Sequence, residues 1–264
     1  MIEACDGSGR VRRPDQVAVE YPLTVHLNDT ELATLLCTPE HLEDLVVGFL
    51  HGEGLIVGLD DLAELGIAAA AGAAMVSLRR PISLADRLYA RRVVATGCGQ
   101  GGGDFYKALD ALQIKPLSQP GDGGRHGRGL AKEAILTAAR DLQTRSGLFR
   151  ETGGVHTAVL CASTGAPLVG RDDIGRHNAV DKVVGSLLRE PLAEAGDGPS
   201  FLMVTGRISS DIVLKAARAG LAVIASRSAP TSLAVDLAVR LNLALVGFVR
   251  GRRMNIYTSV ERIG

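Results

Sequence analysis

Cysteine is scarce and unpaired in this chain. Its four cysteines stand at positions 5, 37, 98 and 161, a spacing that fits neither a disulfide scaffold nor a Cys-x-x-Cys zinc site, so reduced thiols are expected. Neither sign of charge is in excess, because Lys plus Arg and Asp plus Glu number 29 each. No global field would hold the chain on nucleic acid or an anionic membrane, and any basic site must be local. Long hydrophobic runs are missing as well: the most apolar stretches, such as residues 241–249, fall well short of the ~20 residues of a membrane helix, so no transmembrane span is expected. Met1-Ile2-Glu3-Ala4-Cys5-Asp6 shows no basic region followed by an apolar one, so no secretory leader is read and a cytoplasmic location is expected. A Walker loop is absent, and so are the parts of a zinc nucleobase deaminase. Val155-His156-Thr157-Ala158 has alanine where the proton-shuttling Glu of His-x-Glu would stand, and no Pro-Cys-x-x-Cys follows. His156 reads as a satisfied strand-end histidine, and no protein-bound metal is expected.

What is present is enough apolar sequence, 46% of 264 residues, to bury one large core or two modest ones. Residues 1–16 are read as a flexible terminus and residues 17–112 as a small mixed α+β domain. Within it, residues 17–27 partly alternate, meet Asn28-Asp29, and are followed by residues 31–36, the pattern of a hairpin. Thr38 as N-cap and Pro39 at the first helical position predict a helix whose apolar stripe is Leu42, Leu45, Val46, Phe49 and Leu50, stopped by Gly52 and Gly54. Strands are expected at 74–78 and 91–95 and a short helix at 105–112. Residues 113–129 carry Pro120, Gly121, Gly123, Gly124 and Gly127 without apolar periodicity and read as a Gly-rich linker.

The remainder, 130–264, reads as an α/β domain. A helix at 130–144, strands at 157–161 and 168–171 and a helix at 178–188 precede a regular alternation: strand 201–205, helix 210–219, strand 222–225, helix 233–241 and strand 244–249. Two strand-helix-strand units favour a covered parallel sheet.

Three places can carry chemistry. Thr96-Gly97-Cys98-Gly99-Gln100-Gly101-Gly102-Gly103 sets one thiol among five glycines, where backbone can approach a ligand or a partner's thiol unobstructed. A sulfur shuttle needs that access, although a small residue in a tight turn would leave the same pattern. Cys161 within an apolar strand, Cys37 at the end of another and Cys5 near the terminus are poorer candidates. Gly97, Gly99 and Gly102 also satisfy Gly-x-Gly-x-x-Gly, but the acidic residue expected about twenty positions on would be Asp122, inside the linker, so the dinucleotide reading is set aside.

Anion sites are expected where helices begin beyond strand ends, at Thr205-Gly206-Arg207-Ile208-Ser209-Ser210 and Ser228-Ala229-Pro230-Thr231-Ser232. The last strand runs into Phe248-Val249-Arg250-Gly251-Arg252-Arg253, whose guanidiniums can grip phosphate and whose aromatic can stack on a base. A polar run, Gly170-Arg171-Asp172-Asp173-Ile174-Gly175-Arg176-His177-Asn178, either supplies ligand contacts or forms a cap and surface pairs.

Together with Glu20-Tyr21-Pro22-Leu23-Thr24-Val25, Gly48-Phe49-Leu50-His51-Gly52-Glu53-Gly54 and Thr152-Gly153-Gly154-Val155-His156, the Cys98 loop, the run at 170–178 and Ser228-Ala229-Pro230-Thr231-Ser232 resemble the formate dehydrogenase accessory sulfurtransferase family, FdhD, over about residues 17–258. The resemblance implies a cytidine-deaminase-like three-layer α/β C-terminal domain, a homodimer, and a sulfurtransferase that takes sulfur from a cysteine desulfurase. Its acceptor would be bis-molybdopterin guanine dinucleotide, which formate dehydrogenase requires. The persulfide cysteine of the family falls on Cys98, and its cofactor-binding segment on Phe248, Val249, Arg250, Gly251, Arg252 and Arg253. Many members carry Cys-x-x-Cys in the loop, whereas Gly101 stands at the second position here, which implies a one-cysteine persulfide mechanism. The alternative is a non-catalytic chaperone for the molybdenum cofactor, with Cys98 merely lining its loop.

Overall fold

The computed structural model describes residues 1–7, 9–80, 114–118, 129–191 and 201–264. Cys98 and its glycine loop, the strand expected at 91–95, the helix expected at 105–112 and most of the expected linker lie outside the described residues.

The terminus read as flexible forms an antiparallel ribbon of β1 (Ile2–Asp6) and β2 (Gly9–Arg13). No larger sheet joins it and β2 is exposed at every position, so main-chain pairing rather than a buried face defines it. Next, β3 (Tyr21–Leu27) and β4 (Thr30–Cys37) pair about Asn28 and Asp29. Both turn residues have left-handed φ, 47° and 63°, which Asn and Asp tolerate and a two-residue hairpin requires. Leu23, Val25 and Leu27 are fully buried, giving the sheet one apolar face.

Helix α1 (Leu42–Gly52) starts later than its sequence predicts, behind His41 with φ 54°. Thr38 does not cap it, because its polar atoms are committed elsewhere: its N–H donates to Asp173 Oδ2 (3.0 Å), and its hydroxyl accepts from Lys182 Nζ (2.6 Å). Beyond α1, β5 (Leu62–Ala68) and β6 (Ala73–Leu78) complete a sheet in the order β4-β3-β6-β5. β5 is unannounced in the sequence. Its Ala, Glu and Gly content is poor for a strand, and antiparallel pairing with β6 imposes the conformation.

The second unit opens with α2 (Lys132–Arg145) and a short α3 (Gly147–Thr152). Ser146 separates them: its hydroxyl accepts from Phe149 N–H (2.8 Å) and starts a new helix where the sequence suggested only an end. Then come β7 (His156–Cys161), β8 (Pro167–Asp173), α4 (Arg176–Arg189), β9 (Phe201–Val204), α5 (Ser210–Arg218), β10 (Val223–Ser226), α6 (Ser232–Arg240), β11 (Ala244–Arg250) and β12 (Arg253–Ile256). The sheet order is β12-β11-β10-β9-β7-β8. The expected parallel pairing holds for β9, β10 and β11, while β7, β8 and β12 run antiparallel to their neighbours. Leu160, Leu202, Ile224 and Leu245 bury one face against α4, α5 and α6. Val159, Phe201, Met203 and Val246 bury the other against α2. Both faces being covered explains the continuous apolar runs in these strands, and the result is the three-layer α/β domain beside a small α+β unit that the sequence leads one to expect.

The two units meet along α1 and α4. At Gly48 a Cβ would stand 1.8 Å from the Asp181 carbonyl oxygen, and at Gly185 a Cβ would stand 1.8 Å from that of Asp44. Only glycine permits this backbone-to-backbone approach. The seam also holds charge. Lys182 and Asp173, both fully buried, pair at 2.6 Å. Arg171 and Arg189 close on opposite oxygens of buried Asp44 at 2.8 and 2.7 Å, and Lys215 bridges both oxygens of Asp181 at 2.6 and 2.8 Å.

Candidate functional site

A parallel strand delivers its following loop to the carboxyl edge of the sheet, where the next helix leaves unpaired N–H groups. The loops after β9 and β10 meet there and are joined. Ile208 N–H donates to the Ala229 carbonyl (3.1 Å), and Thr231 N–H donates to that of Ile208 (3.0 Å). Thr231 caps α6 by accepting from Ala234 N–H (3.3 Å). Phe248 N–H donates to the Ser228 carbonyl (2.9 Å), tying the end of β11 to the same edge.

The sequence predicts ligand contacts from Phe248 to Arg253, and the structure shapes that segment as a hairpin. β11 carries a register shift between Gly247 and Arg250, and Phe248 takes a left-handed φ of 53°. The bulge turns Phe248 outward to 39% exposure while Val249 stays buried. Gly251, with φ 60°, and Arg252 form the turn, and Arg250 faces Arg253 across it. Arg250, Arg252 and Arg253 are exposed, and none makes an ion pair among the described residues. Arg250 Nε donates to the Arg227 carbonyl (3.3 Å); partial burial and then the neighbouring Arg250 charge lower the Arg227 pKa. An exposed ring beside uncompensated guanidiniums suits a base attached to phosphate.

A second basic cluster lies further along the same edge. His156 begins β7 and Arg176 and His177 begin α4, while Thr205, Gly206 and Arg207 follow β9. Thr205 Oγ1 lies 3.5 Å from His156 Nδ1 and accepts from Thr157 N–H (3.0 Å). Burial, then Arg176 and Arg207, lower the His156 pKa. Burial also lowers the His177 pKa, against the pull of Asp211. His177 Nε2 contacts Ser209 Oγ at 2.9 Å and Asp211 at 3.9 Å. One ring nitrogen serves both, so the set lacks the two-sided imidazole of a nucleophilic relay.

The polar run at 170–178 is therefore divided between two duties, a distinction its sequence did not reveal. Arg171 and Asp173 enter the seam, while Asp173 Oδ1 also accepts from Gly175 N–H (2.8 Å) and Asn178 Nδ2 (3.0 Å) to shape the start of α4. Arg176 and His177 face the sheet edge. A cavity of about 240 Å³ on the other side of β8 touches Arg145, Ser146, Thr157 and Asp172. The Asp172 carboxylate there already accepts from Thr157 (2.6 Å) and Ser146 (2.7 Å).

Among the described cysteines, Cys37 and Cys161 are buried and Cys5 is exposed. Burial, chiefly, pushes the Cys37 thiol up to about 11 and that of Cys161 up to about 12, far from a thiolate at neutral pH. The described residues contain no group of three or more His, Cys, Asp or Glu side chains placed to hold a metal ion. None of their helices is long and apolar enough to cross a membrane.

Comparison with known proteins gives concordant results. The profile of the FdhD/NarQ family matches residues 18–264. A sulfur carrier protein FdhD from Listeria innocua is 41% identical over 249 residues, covering 94% of this chain and 91% of that protein. The protein of the same name from Bacillus subtilis is 41% identical over 250 residues, covering 94% and 90%. A crystal structure from Desulfotalea psychrophila, assigned as a formate dehydrogenase accessory protein, superposes with a TM-score of 0.76 at 29% identity, covering all of this chain and 97% of that one.

Proposed function

This chain belongs to the FdhD/NarQ family, and from that premise we propose that it is a sulfur carrier that accepts sulfane sulfur on Cys98 and delivers it to bis-molybdopterin guanine dinucleotide for formate dehydrogenase. The observation that carries the reading is the match along residues 18–264 to relatives named as sulfur carriers. The thiol inventory supports it: burial disqualifies Cys37 and Cys161 as nucleophiles, which leaves Cys98 and terminal Cys5. In the proposed loading step the Cys98 thiolate attacks the outer sulfur of a cysteine desulfurase persulfide. A new S–S bond forms at Cys98, the desulfurase thiolate leaves, and no external oxidant is needed. No second loop thiol is required, consistent with Gly101.

For the cargo, the reading assigns guanine to the face of Phe248 and phosphate charge to Arg250, Arg252 and Arg253, with Val249 anchoring the segment in the core and Gly251 turning it. The chain would act in the cytoplasm as a homodimer. Incubating it with a cysteine desulfurase and cysteine should add one sulfur mass to wild type and none to Cys98→Ala. In cells lacking the native carrier, Cys98→Ala should leave formate dehydrogenase inactive. Full activity with that variant would instead support a chaperone that merely binds the cofactor.

A further inference from the structure

We propose that His156, Arg176, Gly206 and Arg207 form an oxyanion subsite for a phosphate or diphosphate group, distinct from the Phe248 hairpin. Three features of the junction converge on this. Arg176 Nε is sealed from solvent without a hydrogen-bond partner among the described residues, and a buried donor left unsatisfied is costly unless a ligand accepts from it. The guanidiniums there lack a counter-charge of their own. Neither Arg176 nor Arg207 makes an ion pair among the described residues. The carboxylate that acts on His156, Asp173, is committed to Lys182 at 2.6 Å and to the N–H groups of Thr38 and Gly175. Finally, the backbone at Gly206 enters between the side chains. A Cβ there would stand 3.1 Å from Arg176 Cβ and 3.2 Å from His156 Nδ1, so a larger residue would crowd the junction. Ser226 Oγ donates to the Gly206 carbonyl (2.6 Å) and fixes the loop from behind.

Mutual repulsion among like charges with a missing acceptor is what an entering oxyanion relieves. Two strand spacings separate the loop after β9 from β11, roughly 10 Å. That span suits a nucleoside diphosphate lying along the edge with its base on Phe248 and its far phosphate at this junction. The identity of the ligand rests on the function proposed above; the presence of an oxyanion subsite does not.

The test is calorimetric titration of the full chain with GDP, guanosine and inorganic pyrophosphate at low salt. Arg176→Met keeps the aliphatic stem and should weaken both GDP and pyrophosphate about tenfold or more and leave guanosine unchanged. Exposed Arg207→Ala should act in the same direction without threatening the fold, whereas Arg240→Ala, at the exposed C-terminal end of α6 on the opposite edge of the sheet, should do nothing. Unchanged GDP and pyrophosphate affinities in folded Arg207→Ala and Arg176→Met would overturn the subsite, as would an equal loss in Arg240→Ala. Failure of the functional reading looks different: wild type would bind pyrophosphate through Arg176 but show no preference for GDP, and Phe248→Ala would have no effect.

Discussion

Lys182 carries its ammonium at zero exposure, and it is stable there because every direction around Nζ is answered. Asp173 Oδ2 lies at 2.6 Å, Thr38 Oγ1 at 2.6 Å and the Thr38 carbonyl at 3.1 Å. Removing one partner strands the other, so Lys182→Met should cost about 3–5 kcal/mol in urea unfolding, whereas adding Asp173→Asn, which removes the charge but keeps an acceptor for the N–H groups of Thr38 and Gly175, should recover part of the loss. The thiols give a second prediction at this scale. Native protein treated with iodoacetamide near neutral pH should remain unmodified at Cys37 and Cys161, as read by peptide mass, until denaturant exposes them. Sequence reading singled out Phe248 to Arg253 and the glycine-flanked cysteine because composition marks them. It named Arg176 only within the polar run at 170–178, read Thr38 as a helix cap, and passed over Asp44 and Lys182, because the partners of these residues lie far away in the chain. A polar residue destined for burial looks like a solvated one until its partner is known.

α1 and α4 are ordinary amphipathic sequences placed where almost every side is covered. The stripe from Leu42 to Leu50 is legible as a core face, yet Asp44 and Gly48 on the remaining surface are buried as well, because α4 lies against them, and so is His51, whose ring contacts the Val57 carbonyl at 3.1 Å. In α4, residues 179–186 are all buried between β7, β8 and α1. Gly48→Ala or Gly185→Ala would drive a methyl group into a backbone carbonyl that cannot rotate away. Each should destabilise by at least about 1–3 kcal/mol in urea unfolding, and the double variant should couple non-additively because both sites separate the same pair of helices. The strands divide similarly. β9, β10 and β11 declare themselves by apolar runs, whereas β5 and β12 follow from pairing with a neighbour and lack a strong local signal.

For the molecule as a whole, the seam makes the α+β unit and the three-layer domain share buried charge, and packing tunes several histidines. His41, His51, His156 and His177 all have pKa values lowered from 6.5, burial being the largest cause in each. The unfolded chain therefore binds more protons than the folded one just below 6.5, and their joint contribution to stability falls as pH drops through that window. The urea midpoint should be lower at about pH 5.5 than at about pH 7.5, and replacing His51 with Gln should reduce the difference. Local sequence determined the three-layer α/β domain, the first hairpin, the family and the basic segment, because periodicity, turn residues and short motifs act over a few positions. Tertiary structure alone decided that Thr38 serves a buried lysine instead of a helix, that the run at 170–178 divides between seam and sheet edge, and that His156, Arg176 and Arg207 converge. Those outcomes depend on which distant backbones come within van der Waals reach, and at Gly48 and Gly185 that reach is set by the absence of a single methyl group.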